Sequence, residues 1–169
     1  MLLAAALLSF VAAAQAGTGT HGSAQLAGQG HLNWWGLPVY DARLWVEPGF
    51  EPQAFERHPF TLELSYLREL RGADIARRSI EEMRRAGDFT PTQAQRWQAQ
   101  LQAVLPDVKA GDRIAGIYRP GQGASFLFNG KPVGEIADAQ FARLFFAIWL
   151  GPATSEPGLR ASLTGAYAR

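Results

Sequence analysis

The chain has 169 residues, 47% of them hydrophobic and 11% aromatic, with a formal net charge of +1 and no cysteine. That is the size of one domain with a substantial core, and too apolar for a disordered chain. Near-neutral charge, with arginines dispersed among Asp and Glu, gives no reason to expect a nucleic acid partner. The absence of cysteine excludes disulfides, thiolate metal sites and a cysteine nucleophile.

Residues 1–16, MLLAAALLSFVAAAQA, are small and apolar and end in Ala14-Gln15-Ala16, the shape a signal peptidase cuts. Cleavage there leaves a single domain over residues 17–169 in the periplasm or outside the cell, away from ATP and a maintained nicotinamide pool. The segment lacks the usual leading Lys or Arg, so a retained anchor and a buried N-terminal helix are the alternatives.

Gly17 to Gly30 is rich in Gly, Ser and Ala and reads as a flexible lead-in. Two strands follow, His31 to Trp35 and Leu37 to Val46, linked tightly at Gly36. In the second, Tyr40, Ala42, Leu44 and Val46 share one face; Val39, Asp41, Arg43 and Trp45 share the other. If that second face is covered, Asp41 and Arg43 must pair with each other or find other partners. After a Pro-containing loop, Pro59 to Leu67 alternates, with Phe60, Leu62, Leu64 and Tyr66 inward. Gly72 to Gly87 has the spacing of an amphipathic helix. Thr90-Pro91-Thr92-Gln93 is a capping box that opens a second helix carrying Trp97, Leu101 and Val104.

A β-meander comes next: Asp112 to Arg119, Ala124 to Phe128 and Lys131 to Ile136, the last two joined by the hairpin signal Asn129-Gly130. From Asp138, a helix N-cap, to the stop at Gly151-Pro152, Phe141, Leu144, Phe145, Ile148 and Trp149 form one apolar helical face. Phe146, Ala147 and Leu150 widen it until the helix is apolar nearly all round. A membrane span takes ~20 residues, so this shorter segment reads as the central core helix. A short helix with Leu159 and Leu163 ends the chain. The order β-β-β-α-α-β-β-β-α-α predicts an α+β fold, an antiparallel sheet with helices on one face.

Chemical signatures are sparse. His21, His31 and His58 lack metal-ligand spacing, so no metal or cofactor is expected. No G-x-S-x-G elbow is present. Gly28-Gln29-Gly30 and Gly121-Gln122-Gly123 open no helix, lack the dinucleotide fingerprint, and read as turn glycines. Asp107, Asp112, Glu135 and Asp138 sit near element ends, where capping and solvated positions account for them. Trp34, Trp35 and Trp45 read as an aromatic cluster that either lines a pocket or packs in the core. An apolar pocket between sheet and helices is the default ligand site.

Taken in order, several stretches resemble the chalcone isomerase fold, and most closely its bacterial chalcone isomerase-like branch. They are Gly28-Gln29-Gly30, Val39-Tyr40-Asp41-Ala42-Arg43-Leu44-Trp45, Phe60 to Arg68, Gly72 to Met83, Gly111-Asp112-Arg113, Tyr118 through Gly123, Phe128-Asn129-Gly130 and Phe141 to Gly151. The resemblance covers roughly Ala24 to Leu163 and implies a large antiparallel sheet backed by helices, an open-faced β-sandwich. It also implies where isomerase chemistry would sit. That chemistry uses an Arg, a Thr and a Tyr, and their positions fall near Gly30–His31, on Tyr40 and on Ile75. All three positions depart from the pattern. A cation for the substrate phenolate and hydroxyls for the developing enolate are both needed, so chalcone cyclisation is not expected.

Another branch of the family binds fatty acids with an Arg and a Tyr. Together with the signal-like start and the lost catalytic positions, the resemblance implies an exported, non-catalytic protein that binds a fatty acid or similar amphipathic molecule, with Tyr40, His31, Arg43 and Tyr66 as candidate ligand-binding residues. Each of the four also has a structural reading, Arg43 as the partner of Asp41. The alternatives are an isomerase acting on an α,β-unsaturated ketone with rearranged residues, and a protein-interaction module.

Overall fold

The structure, a computed structural model, describes residues 23–165 and 167; the signal-like segment 1–16 lies outside them. Six antiparallel strands form one sheet in chain order: β1 (Gln25–Trp34), β2 (Leu37–Val46), β3 (Phe60–Tyr66), β4 (Arg113–Arg119), β5 (Gly123–Phe128) and β6 (Lys131–Ile136). Helices α1 (Gly72–Ala86) and α2 (Pro91–Val104) interrupt the meander between β3 and β4; α3 (Ala139–Leu150) and α4 (Pro157–Leu163) follow β6. A 3₁₀ turn, Pro52–Arg57, links β2 to β3. This is the expected α+β architecture.

Strand β1 begins at Gln25, not at His31. Gln25–Gly30, at the end of the stretch read as a flexible lead-in, already pairs with β2; the ladder runs from Gln25 opposite Val46 to Trp34 opposite Leu37, with register shifts at Leu26/Gly28 and Leu32/Asn33. Its small residues have a packing reason. A Cβ on Gly28 would lie 2.2 Å from the Ser162 carbonyl oxygen, and one on Gly30 would lie 2.7 Å from the Leu159 side chain. These are not turn glycines; they let α4 lie directly on the strand.

In α3, eight of the 12 residues are buried, with Phe141, Leu144, Phe146 and Leu150 completely so. The helix packs on β5 beneath and on α1 above, which puts it inside the molecule. Phe146 sits edge-on to Phe60 and Tyr118, with ring centroids 5.0 and 5.4 Å away, and its ring would meet a Cβ on Gly116 at 3.0 Å. Phe145 meets Phe126, Phe141 and Trp149 at 5.4–5.6 Å. Full burial of one such side chain is worth about 1.5–3 kcal/mol.

The start of α3 is tied to α2 by one carboxylate. Asp138 accepts from the Phe141 amide (2.9 Å), from the indole N–H of the fully buried Trp97 (2.9 Å) and from Arg96 (2.9 Å). Burial works to raise its pKa, but these hydrogen bonds and the Arg96 charge outweigh it and hold the carboxyl below the usual range. Asp107 caps in the same way, accepting from the Gly72 amide (2.8 Å). The Thr90–Gln93 capping box is complete, with both reciprocal bonds made.

Asp138→Ala removes a cap worth about 1 kcal/mol and strands a buried indole donor worth about 1–3 kcal/mol more. Denaturant unfolding should therefore show a loss of about 2–4 kcal/mol, and a smaller one for Asp138→Asn, which keeps the cap acceptor. Because folding depresses this pKa, the carboxylate's contribution is present above the unfolded value of about 3.9 and is lost as pH falls below it. The gap between wild type and Asp138→Asn should close in acid.

Candidate functional site

Directly opposed residues of an antiparallel pair project to the same face, so the register sorts the candidate residues. Tyr40 lies opposite Tyr66 and Leu32, on the face covered by the helices. His31 lies opposite Asp41, and Arg43 opposite Glu63 and Gln29, on the other face. The structure thus brings Tyr40 and Tyr66 together and places His31 and Arg43 across the sheet from them.

The two tyrosine rings meet edge to face at 5.9 Å, and Tyr66 is 2% exposed. The Trp149 indole N–H donates to the Tyr40 hydroxyl at 3.0 Å. Burial drives the Tyr40 pKa well above that of a free tyrosine. The Trp149 hydrogen bond offsets this only in part, and the fields of Glu156 and Glu82 add to the rise. Burial, reinforced by Tyr40, raises Tyr66 likewise. Both hydroxyls stay protonated at physiological pH.

The positions that isomerase chemistry would use have other occupants. At Gly30 the space a side chain would take is filled by Leu159 and Ser162 of α4. Ile75, in the first turns of α1, packs against the hydrophobic core. One turn further, Ser79 donates back to the Ile75 carbonyl (2.8 Å), and the buried Glu82 is held by Arg78 (2.6 Å) and Arg85 (3.2 Å). The group that closes this region, Trp149, reads in sequence only as one more apolar residue of the core helix. Nothing local signals that its indole reaches a tyrosine 109 residues away.

On the opposite face, Arg43 reaches Glu63 at 3.9 Å, and so does Arg113 at 3.9 Å. Glu63, not Asp41, is the acidic partner of Arg43. Among the described residues there is no group of three or more His, Asp or Glu that could hold a metal ion.

The tryptophans do not cluster. Trp45 lies opposite Leu26, while Trp34 and Trp35 lie at the other end of the hairpin, 64% and 89% exposed. Trp34 and Trp35 thus lie outside the core, whereas Trp45 lines a pocket with Thr61 and Ile117. The hairpin turns through Trp35 (φ 53°) and Gly36 (φ 77°), so a bulky side chain occupies the left-handed region at the tip. Leu37 and Leu67, 55% and 41% exposed, extend this apolar end of the sheet.

Comparison with known proteins places this geometry. The sequence profile described as chalcone isomerase-like matches residues 11–165. An uncharacterized protein of Haemophilus influenzae is 27% identical over 141 residues, 83% of this chain and 68% of that protein. Among solved structures, an Arabidopsis thaliana fatty-acid binding protein superposes with a TM-score of 0.67 at 14% identity, covering 89% of this chain and 91% of that one. At that identity the likeness is one of fold.

Alkaline titration tests the buried tyrosine pair. Since folding raises both pKa values, their contribution to stability is intact below the unfolded value of about 10 and is lost as pH climbs above it. Ultraviolet absorbance should show a tyrosine ionisation step that coincides with unfolding, as marked by near-ultraviolet circular dichroism, and Tyr66→Phe should shrink that step. A Tyr66→Phe-sensitive step completed with the fold intact would mean that the pair is open to water.

Proposed function

The chain belongs to the chalcone isomerase-like family, and from that premise we propose that it is an exported, non-catalytic protein that binds a fatty acid or a similar small amphipathic molecule. The observation that carries this reading is the fate of the reaction centre. Helix α4 occupies the side-chain space at Gly30, the Tyr40 hydroxyl is engaged by Trp149, and Ile75 can neither donate nor accept a proton. A protonated, half-buried tyrosine whose hydroxyl already accepts from Trp149 is poorly equipped to hold a phenolate or organise an enolate. Support for binding comes from the Arabidopsis fatty-acid binding protein, which carries the same fold. Support for export comes from the Ala14-Gln15-Ala16 sequence after an apolar run.

Native mass spectrometry of protein purified from its host, followed by lipid extraction, should find a bound amphipathic molecule and a mature chain starting at Gly17. Protein that is consistently empty and has no affinity for acyl chains would overturn the binding reading; a chain retaining residues 1–16 would overturn cleavage.

One observation favours a second reading, the interaction module. A non-glycine residue at φ 53° costs about 1–2 kcal/mol, and here it displays an almost wholly exposed tryptophan beside a second one. Exposed tryptophan at a hairpin tip suits the hot spot of a protein interface. On this reading, Trp34→Ser with Trp35→Ser should abolish capture of a periplasmic partner and leave the melting temperature within a few degrees of wild type. Unchanged capture removes the reading.

A further inference from the structure

Helix α3 ends at Gly151, and the chain turns through Pro152 and Ala153 toward α4, while the 3₁₀ turn Pro52–Arg57 crosses the same flank. A pocket of about 370 Å³ opens between them, lined among others by Pro52, Phe55, Arg143, Ala147, Leu150 and Arg160. That is the small end of the range for ligand sites. Neither Tyr40, Tyr66 nor Trp149 lines it, so it is a different space from the closed reaction centre.

The floor is apolar. Ala147 and Leu150 belong to one stripe of α3 and are backed by Phe55; all three are nearly or fully buried. The charges are cationic. Arg160 is half-buried and donates its Nε–H to the Leu150 carbonyl at 2.7 Å, which fixes the guanidinium and leaves its terminal N–H groups for another acceptor. Arg143, one turn before Ala147, adds a second positive charge. Seven other arginines make ion pairs, but among the described residues neither Arg143 nor Arg160 has an acidic partner within 4.0 Å. Glu56 also lines the pocket and leaves one cation in excess.

We infer that this pocket, and not the tyrosine pair, holds a single-chain amphipathic anion, with its head on Arg160 and its apolar tail along Ala147, Leu150 and Phe55. A positioned guanidinium with free N–H groups offers a carboxylate two parallel, charge-assisted hydrogen bonds. The inference rests on the binding reading above and names its site and head group.

Calorimetric titration with decanoate, and with decanol as its uncharged counterpart, tests it on the purified protein. Wild type should bind decanoate about tenfold tighter than decanol, and Arg160→Gln should erase that preference. Arg119→Gln, an equal change in net charge on the opposite face, should leave it intact. Ala147→Phe, which fills the pocket, should abolish binding of both molecules; thermal melts verify that each variant is folded. Decanoate bound equally by wild type, Arg160→Gln and Ala147→Phe overturns this site and leaves the binding reading standing. Wild type that ignores decanoate, while protein from the host still carries a lipid, likewise overturns the site alone. Empty host protein without acyl affinity overturns both.

Discussion

The contact on which the rest of this molecule depends is an aromatic helix laid on a sheet with glycine beneath it. Phe146 reaches the floor because Gly116 offers no side chain, and there it meets Phe60 and Tyr118 from neighbouring strands. A Cβ at that position would touch the ring at 3.0 Å, so the depth of α3 is set by one missing methyl. From that depth follow the reach of Trp149 to Tyr40 and the seating of α1 on the outer side of α3. Asp138 then fixes where the helix begins, by joining its first turn to Trp97 and Arg96 of α2.

The same packing decides how the space around Tyr40 is filled. A fold of this kind can keep a cleft between sheet and helices only if the facing side chains leave it empty. Here Tyr40, Tyr66 and Trp149 fill it from one side, and α4 fills it from the other by resting on Gly28 and Gly30. Space for a small molecule reappears on the flank of α3, beside Ala147, Leu150 and Phe55, where among the described residues Arg143 and Arg160 have no acidic partner within 4.0 Å.

What could be read from the sequence was what local chemistry determines. The apolar face from Phe141 to Trp149, the Thr90–Gln93 box, the Asn129-Gly130 turn and the alternation from Phe60 to Tyr66 each appear as expected, because each is specified within a few residues. The start of β1 was illegible, since Ala27, Gly28 and Gly30 have little strand propensity of their own; they extend because β2 pairs with them and α4 lies across them. Alternation along β2 already separates Arg43 from Tyr40, so a signal existed for placing those two candidates on different faces. The engagement of Tyr40 by Trp149 and the pairing of Arg43 with Glu63 are tertiary facts with no local trace. The exposed tip went unread for the opposite reason: tryptophan is no turn former, and its composition pointed inward.

One detail of the packing bears on how the chain is assembled. The edge strand β1 is covered by α4, the last helix, and Gln25 also donates to the hydroxyl of Tyr167. The earliest described element and the final one therefore lie side by side, so the inner face of β1 stays bare until synthesis has delivered α4.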